Sequence, residues 1–148
     1  MSINKKVYSF VLTGAALLSL SSISVFGASN HGDTKYNFNF PTGTSIQYTE
    51  AREKYNETAA YMKLKTLGGP ATNPSYTASV VKKDNSNFSK VWYVTFGKSN
   101  INQGRYLKNY AKEDNKNKTY VDVKIKAKRD AGNLNDFYGS GVWSPDSI

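Results

Sequence analysis

Residues 119–128 alternate without interruption, with Val121, Val123, Ile125 and Ala127 on one side and Tyr120, Asp122, Lys124, Lys126 and Lys128 on the other. A period of two sends successive side chains to opposite faces of an extended chain, so this apolar set is buried together only if the segment is a strand with one dry and one wet face. Ala60, Met62 and Leu64, alternating with Tyr61, Lys63 and Lys65, repeat the pattern. Tyr36, Phe38 and Phe40 repeat it again between Asn37 and Asn39, until Pro41 ends the run. Three such segments with little helical periodicity between them predict an all-β chain.

The remaining segments fit that class. Residues 91–96 (Val91, Trp92, Tyr93, Val94, Thr95, Phe96) are β-branched or aromatic on both alternating faces and are closed by Gly97, which predicts a central strand with neighbours on both edges. Trp92, Val94 and Phe96 are expected to face inward. Residues 75–82 should pair with this strand through Asp84-Asn85-Ser86-Asn87, in a register that sets Thr77 opposite Val94 and Ser79 opposite Trp92. Residues 41–44 read as a turn and 45–48 as a short strand. In residues 49–56, Thr49 can cap an acidic first turn, with Ala51 and Tyr55 as an i, i+4 apolar pair; the pattern suits one helical turn or an extended polar loop. Residues 98–114 are expected to be irregular with one short strand, and 130–135 to turn. Five to seven short strands with turns between them describe a single antiparallel β-sandwich or flattened barrel.

The N-terminus reads as an address. Lys5 and Lys6 precede an apolar run over residues 7–20 that Thr13, Gly14 and Ser19 make too polar and short for a membrane span, and small residues follow. This predicts a cleaved secretory signal peptide over residues 1–28, a flexible arm over 29–35 and a single β domain over 36–148. The chain has no cysteine, so an exported domain of this kind depends on packing rather than disulfides, a usage that points to a Gram-positive bacterium. The formal charge is +9; loss of Lys5 and Lys6, the only charged residues among the first 28, leaves +7. Such a surface favours acidic partners, which outside a cell are wall polymers, anionic lipid head groups, acidic polysaccharides and released nucleic acid.

Candidate chemistry is sparse. His31, the only histidine, stands with Asp33 in the expected arm, and two ligands there do not make a metal centre. A hydrolase would need two facing carboxylates from Glu50, Glu53, Glu57, Glu113, Asp114, Asp122, Asp130, Asp136 and Asp146, most of them beside basic residues or in turns. The sequons at Asn56, Asn87 and Asn117 carry little meaning in so asparagine-rich a chain. The basic and aromatic interleaving is more specific. Tyr61, Lys63 and Lys65 on one strand, and Tyr120, Lys124, Lys126 and Lys128 on another, occupy polar faces that merge into one surface if the two strands share a sheet. Such a surface can hold an anionic polymer by charge and stack rings on tyrosine, although outward lysines equally serve to keep strand edges from pairing. Trp143, ahead of Pro145, is expected to close the core as a C-terminal latch.

The ending Ser140-Gly141-Val142-Trp143-Ser144-Pro145-Asp146-Ser147, with the signal peptide, the Ala60-Tyr61-Met62-Lys63 strand and residues 106–110, resembles a family of small secreted Gram-positive proteins whose common domain has no assigned function. Size, export and tyrosine-rich β pattern are similar, more loosely, to the lactococcin-type β-sandwich bacteriocins. The resemblance brings no catalytic residues. The expected function is a secreted, monomeric, non-enzymatic binding protein of the bacterial cell envelope, without cofactor, metal or specific nucleic acid, whose Tyr-Lys face contacts anionic wall polymer or a membrane surface. A bacteriocin-like toxin acting on cell-wall precursor is the second reading, and a carboxylate-dependent hydrolase the third.

Overall fold

The computed structural model describes residues 29–148, and the expected signal peptide lies outside the described residues. The strands, in chain order, are β1 (Thr34–Phe40), β2 (Ile46–Tyr48), β3 (Arg52–Lys54), β4 (Ala60–Gly68), β5 (Ser75–Lys82), β6 (Val94–Gly97), β7 (Gly104–Leu107), β8 (Val121–Arg129) and β9 (Phe137–Ser144). One antiparallel sheet runs β1-β9-β4-β7 and the other β2-β8-β5-β6, with β3 also paired to β8. The sheets pack face to face without closing into a barrel, so the architecture is the expected sandwich.

The alternating segments behave as their period requires. Tyr36, Phe38 and Phe40 of β1 and Ala60, Met62 and Leu64 of β4 are buried against Tyr76, Ala78 and Val80 of β5 and Val121, Val123, Ile125 and Ala127 of β8. Aromatic rings fill the middle: Phe40 stacks on Phe137 at 4.7 Å between centroids, and Tyr76 on Phe96 at 5.5 Å. The buried hydroxyls of Tyr36 and Tyr76 satisfy each other at 3.1 Å. Burial away from water, opposed by that bond, pushes the Tyr36 phenol up to about 12.

The centre of the first sheet is β9, the glycine-rich tail. It lies between β1 and β4, with Trp143 opposite both Thr34 and Met62. Its glycines permit this position. A Cβ on Gly141 would stand 2.0 Å from the Lys63 carbonyl oxygen, beside the register shift between Leu64 and Thr66 in β4. The expected latch is therefore a central strand, and Trp143, 1% exposed, is buried within it.

Four expectations are corrected. Residues 91–96 are not a central strand: β6 begins at Val94, pairs only with β5 and forms an edge. Phe96 is buried and Val94 packs on the core, but Trp92 is half-buried against Tyr110 at 5.4 Å and Tyr93 is exposed. The aromatic content of this stretch covers a flank of the sandwich instead of lying between two neighbouring strands. The hairpin register is also displaced by one residue, with Thr77 opposite Thr95 and Ala78 opposite Val94, so that Ala78 and Val94 share the inner face.

Residues 49–56 form no helix. β2 and β3 pair with successive parts of β8, and Thr49 bridges the break, its N–H donating to the Ile125 carbonyl at 3.0 Å and its Oγ1 accepting from the Ile125 N–H at 2.9 Å. One weak apolar pair could not outweigh a sheet edge offering that ladder. Lastly, the expected flexible arm contains the first two residues of β1, and Asn30 is tied to the fold: its N–H donates to Asp146 Oδ2 at 2.8 Å and its side chain to the Glu53 carbonyl at 2.9 Å.

Candidate functional site

The two tyrosine-lysine strands do not share a sheet. Tyr61, Lys63 and Lys65 lie on β4 and Lys124, Lys126 and Lys128 on β8, in opposite layers. Because the apolar residues of both strands point into the common core, their polar faces point away from each other, and the single Tyr-Lys face does not form. Lys124 and Lys126 are half-buried on the outside of their sheet, where Lys124 donates to Asn85 Oδ1 at 3.2 Å and lies over the Tyr48 ring at 5.8 Å. Their stems cover the outward-facing, buried Ser79 and Val81 of β5, the register partners of Lys126 and Lys124.

Tyr120 takes part in a different arrangement. Where β5 ends and β8 begins, a groove of about 620 Å³ is lined by Lys82, Lys83, Phe88, Lys118, Tyr120 and Asp122, among others. The loop after β5 provides one wall and the segment leading into β8 the other. Lys82 places its ammonium over the Phe88 ring at 5.8 Å, and the half-exposed Tyr120 is held from behind by Tyr55 at 5.8 Å between centroids. Lys83 meets Asp122 at 3.2 Å, an exposed pair of small energetic worth. Neither Lys82 nor Lys118 is in an ion pair among the described residues. The other acid lining the groove, Asp84, accepts from the Ser86 N–H at 2.9 Å and hydroxyl at 2.6 Å, which holds its carboxyl below the usual range. The result is a concave, basic wall with one accessible aromatic ring. It suits an anionic chain bearing rings or apolar links.

A second constellation surrounds the C-terminal strand. Lys54 and Asp146, separated by 92 residues, form a fully buried ion pair at 3.0 Å. Lys54 Nζ also donates to the carbonyls of Thr58 and Pro145, the latter at 2.7 Å. Asp146 accepts in addition from the N–H groups of Asn30, Tyr55 and Asn56 at 2.8, 3.1 and 3.4 Å. Burial opposes the charge on Asp146, but the Asn30 N–H, Lys54 and the Tyr55 N–H outweigh it and hold the carboxyl below its ordinary value. Lys54 is also lowered, burial outweighing the support of Asp146. A low Asp146 value marks a stabilised charge, whereas a low Lys54 value marks a strained one. Three acceptors surround the ammonium and favour its charged form. Arg52 extends the network, donating to the Trp143 carbonyl at 3.0 Å and to Asn30 Oδ1 at 2.6 Å, with its guanidinium 5.4 Å from the centre of the Trp143 ring. With its lone pairs filled, Asp146 has no proton to give and no free oxygen to attack with, so this cluster is an anchor rather than a pair of reacting carboxylates.

No group of three or more metal-ligating side chains occurs among the described residues, and His31 is hydrogen bonded to the hydroxyl of Ser29. Sequence reasoning found Tyr120 but missed Lys82, Lys83 and Lys118. They sit at a strand end and in loops, where no period marks them. The Lys54–Asp146 pair carried no local signal at all.

A family model described as a protein of unknown function (DUF2712) matches residues 23–147 of the chain. No curated protein matches it.

Proposed function

The chain belongs to the DUF2712 family, proteins of unknown function, and we propose that it is a secreted, non-enzymatic binding protein of the cell envelope that holds an anionic wall polymer in the basic groove. The observation that carries this reading is the groove itself, in which Lys82, Lys83 and Lys118 surround an exposed tyrosine and outnumber the two carboxylates, Asp84 and Asp122, the second paired with Lys83. A phosphate-bearing polymer would displace counterions from the lysines and lay its apolar links against Tyr120. Export, expected from Lys5, Lys6 and the apolar run that follows, would place the groove where such polymers are found.

Replacing Lys82, Lys83 and Lys118 together by glutamine should lower the urea midpoint only modestly: Lys83 and Lys118 are exposed, where substitutions usually stay within about 0.5 kcal/mol each, while the half-buried Lys82 gives up its place over the Phe88 ring. Binding to wall fragments that retain teichoic acid should weaken by about tenfold or more at low salt, equivalent to about 1.4 kcal/mol. The salt dependence of the residual binding should be shallower. The Lys63→Gln/Lys65→Gln variant, altered on the opposite sheet, is the control and should bind like the parent. Equal binding by the triple variant across a salt series would remove the groove from the reading. Growth inhibition of related strains by the purified protein, with no retention on wall fragments, would favour the bacteriocin-like alternative.

A further inference from the structure

On the outer face of the first sheet, a cavity of about 380 Å³ is lined by His31, Asp33, Tyr61, Tyr106, Ser144 and Asp146, among others. It follows one row across the strands. Tyr61 is the register partner of Tyr106 on one side and of Ser144 on the other, and Asp33 stands one residue before Thr34, which pairs with Trp143. The two tyrosine rings lie 5.7 Å apart and are inclined at 57°. They form a corner rather than a flat shelf. The Tyr61 ring is held in place over Gly104, where an added Cβ would come within 2.6 Å of it, whereas Tyr106 is 61% exposed.

One carboxylate of this corner is left without a direct partner among the described residues. Asp33 is exposed and joins no ion pair among the described residues. Asp146 is already neutralised by Lys54. Arg52 donates only to neutral acceptors, Asn30 Oδ1 and the Trp143 carbonyl, so it keeps its charge and acts on Asp33 without an ion-pair contact, and His31 also lines the cavity. The net positive charge of the whole molecule does not decide the matter, because exposed charges beyond about 8–10 Å are screened at physiological salt. Two inclined aromatic faces with one free carboxylate match an alkylammonium ion, which is attracted by ring faces from more than one direction. A sugar ring prefers one flat face.

We propose that this cavity is a binding site for an alkylammonium head group, seated between Tyr61 and Tyr106 and neutralised by Asp33. The site is independent of the basic groove, and either can fail without the other.

Choline is the probe, titrated into the folded protein residue by residue in NMR spectra, with its neutral isostere dimethylbutanol and with methyl glucoside in parallel. Choline should saturate shifts at Tyr61 and Tyr106 and bind about tenfold or more tightly than the isostere, a preference of about 1.4 kcal/mol. Asp33→Asn and Tyr106→Ala should each weaken choline by a similar factor, while Lys82→Gln should not alter it. Both positions are exposed, and Asp33→Asn carries the test alone if Tyr106→Ala loses its fold. Equal binding of choline and isostere, indifference to Asp33→Asn, or saturation by methyl glucoside instead would each overturn the assignment.

Discussion

Asp146→Ala is expected to lower the stability of the fold by about 3–5 kcal/mol, the range for removing one partner of a buried ion pair. The variant leaves the Lys54 ammonium enclosed with only the carbonyls of Thr58 and Pro145 and takes the acceptor from the N–H groups of Asn30, Tyr55 and Asn56. Removing the lysine as well should recover only part of the loss. Lys54→Met cures the stranded charge, but the three backbone donors still lack an acceptor, at about 1–3 kcal/mol for each that is kept from water. Urea midpoints of the two single variants and the double decide it. Full recovery in the double variant would mean that Asp146 serves only to neutralise Lys54.

The same carboxylate sets an acid response. Its folded-state value lies below the unfolded value of about 3.9, so its contribution is complete above that pH and is lost as the pH falls through the folded value. Asp84, Asp114 and Asp136, each bonded to a Ser or Thr hydroxyl and N–H, shift in the same direction. The urea midpoint should therefore hold steady between about pH 7 and pH 5 and fall below about pH 4. Asp146→Asn should show a shallower acid decline than the parent; an unchanged decline would assign the acid response to other carboxylates.

Trp143→Ala is the second large effect, expected at about 3–5 kcal/mol, as for emptying a buried aromatic site. The indole is 1% exposed in the middle strand of its sheet and lies against the Arg52 guanidinium. Little can collapse into the space, because Met62 and the strands on both sides are fixed by their own ladders. For a domain of ordinary stability this is a large fraction of the total. A parent-like urea midpoint would show that Trp143 does not hold the core. Trp143→Phe keeps part of the ring volume and should lose less.

Residue pattern alone determined that three stretches, β1, β4 and β8, are strands and which of their faces is buried. The inward sets of β1, β4 and β8 follow from period-two alternation, and the residues at 41–44 turn as their proline and glycine require. These are local properties: a residue's face depends on its immediate neighbours, and a one-residue error would expose the whole apolar set. Trp143 was legible for a similar reason, since a large aromatic in a small domain without disulfides is more useful inside than outside.

Tertiary structure alone decided which strands are neighbours. Nothing in the periods of β4 and β8 says that they lie in opposite layers, and the proposed Tyr-Lys face depended on that choice. The aromatic run at 91–96 looked central and lies at an edge, while β9, whose glycines weaken its strand signal, is central because Gly141 admits the Tyr36 hydroxyl and the Lys63 carbonyl. Both proposed binding surfaces, the basic groove and the tyrosine corner, bring together residues tens of positions apart, as does the Lys54–Asp146 pair. Pairing between distant strands is set by the closure of the entire core, a many-body condition that leaves no mark on any one segment.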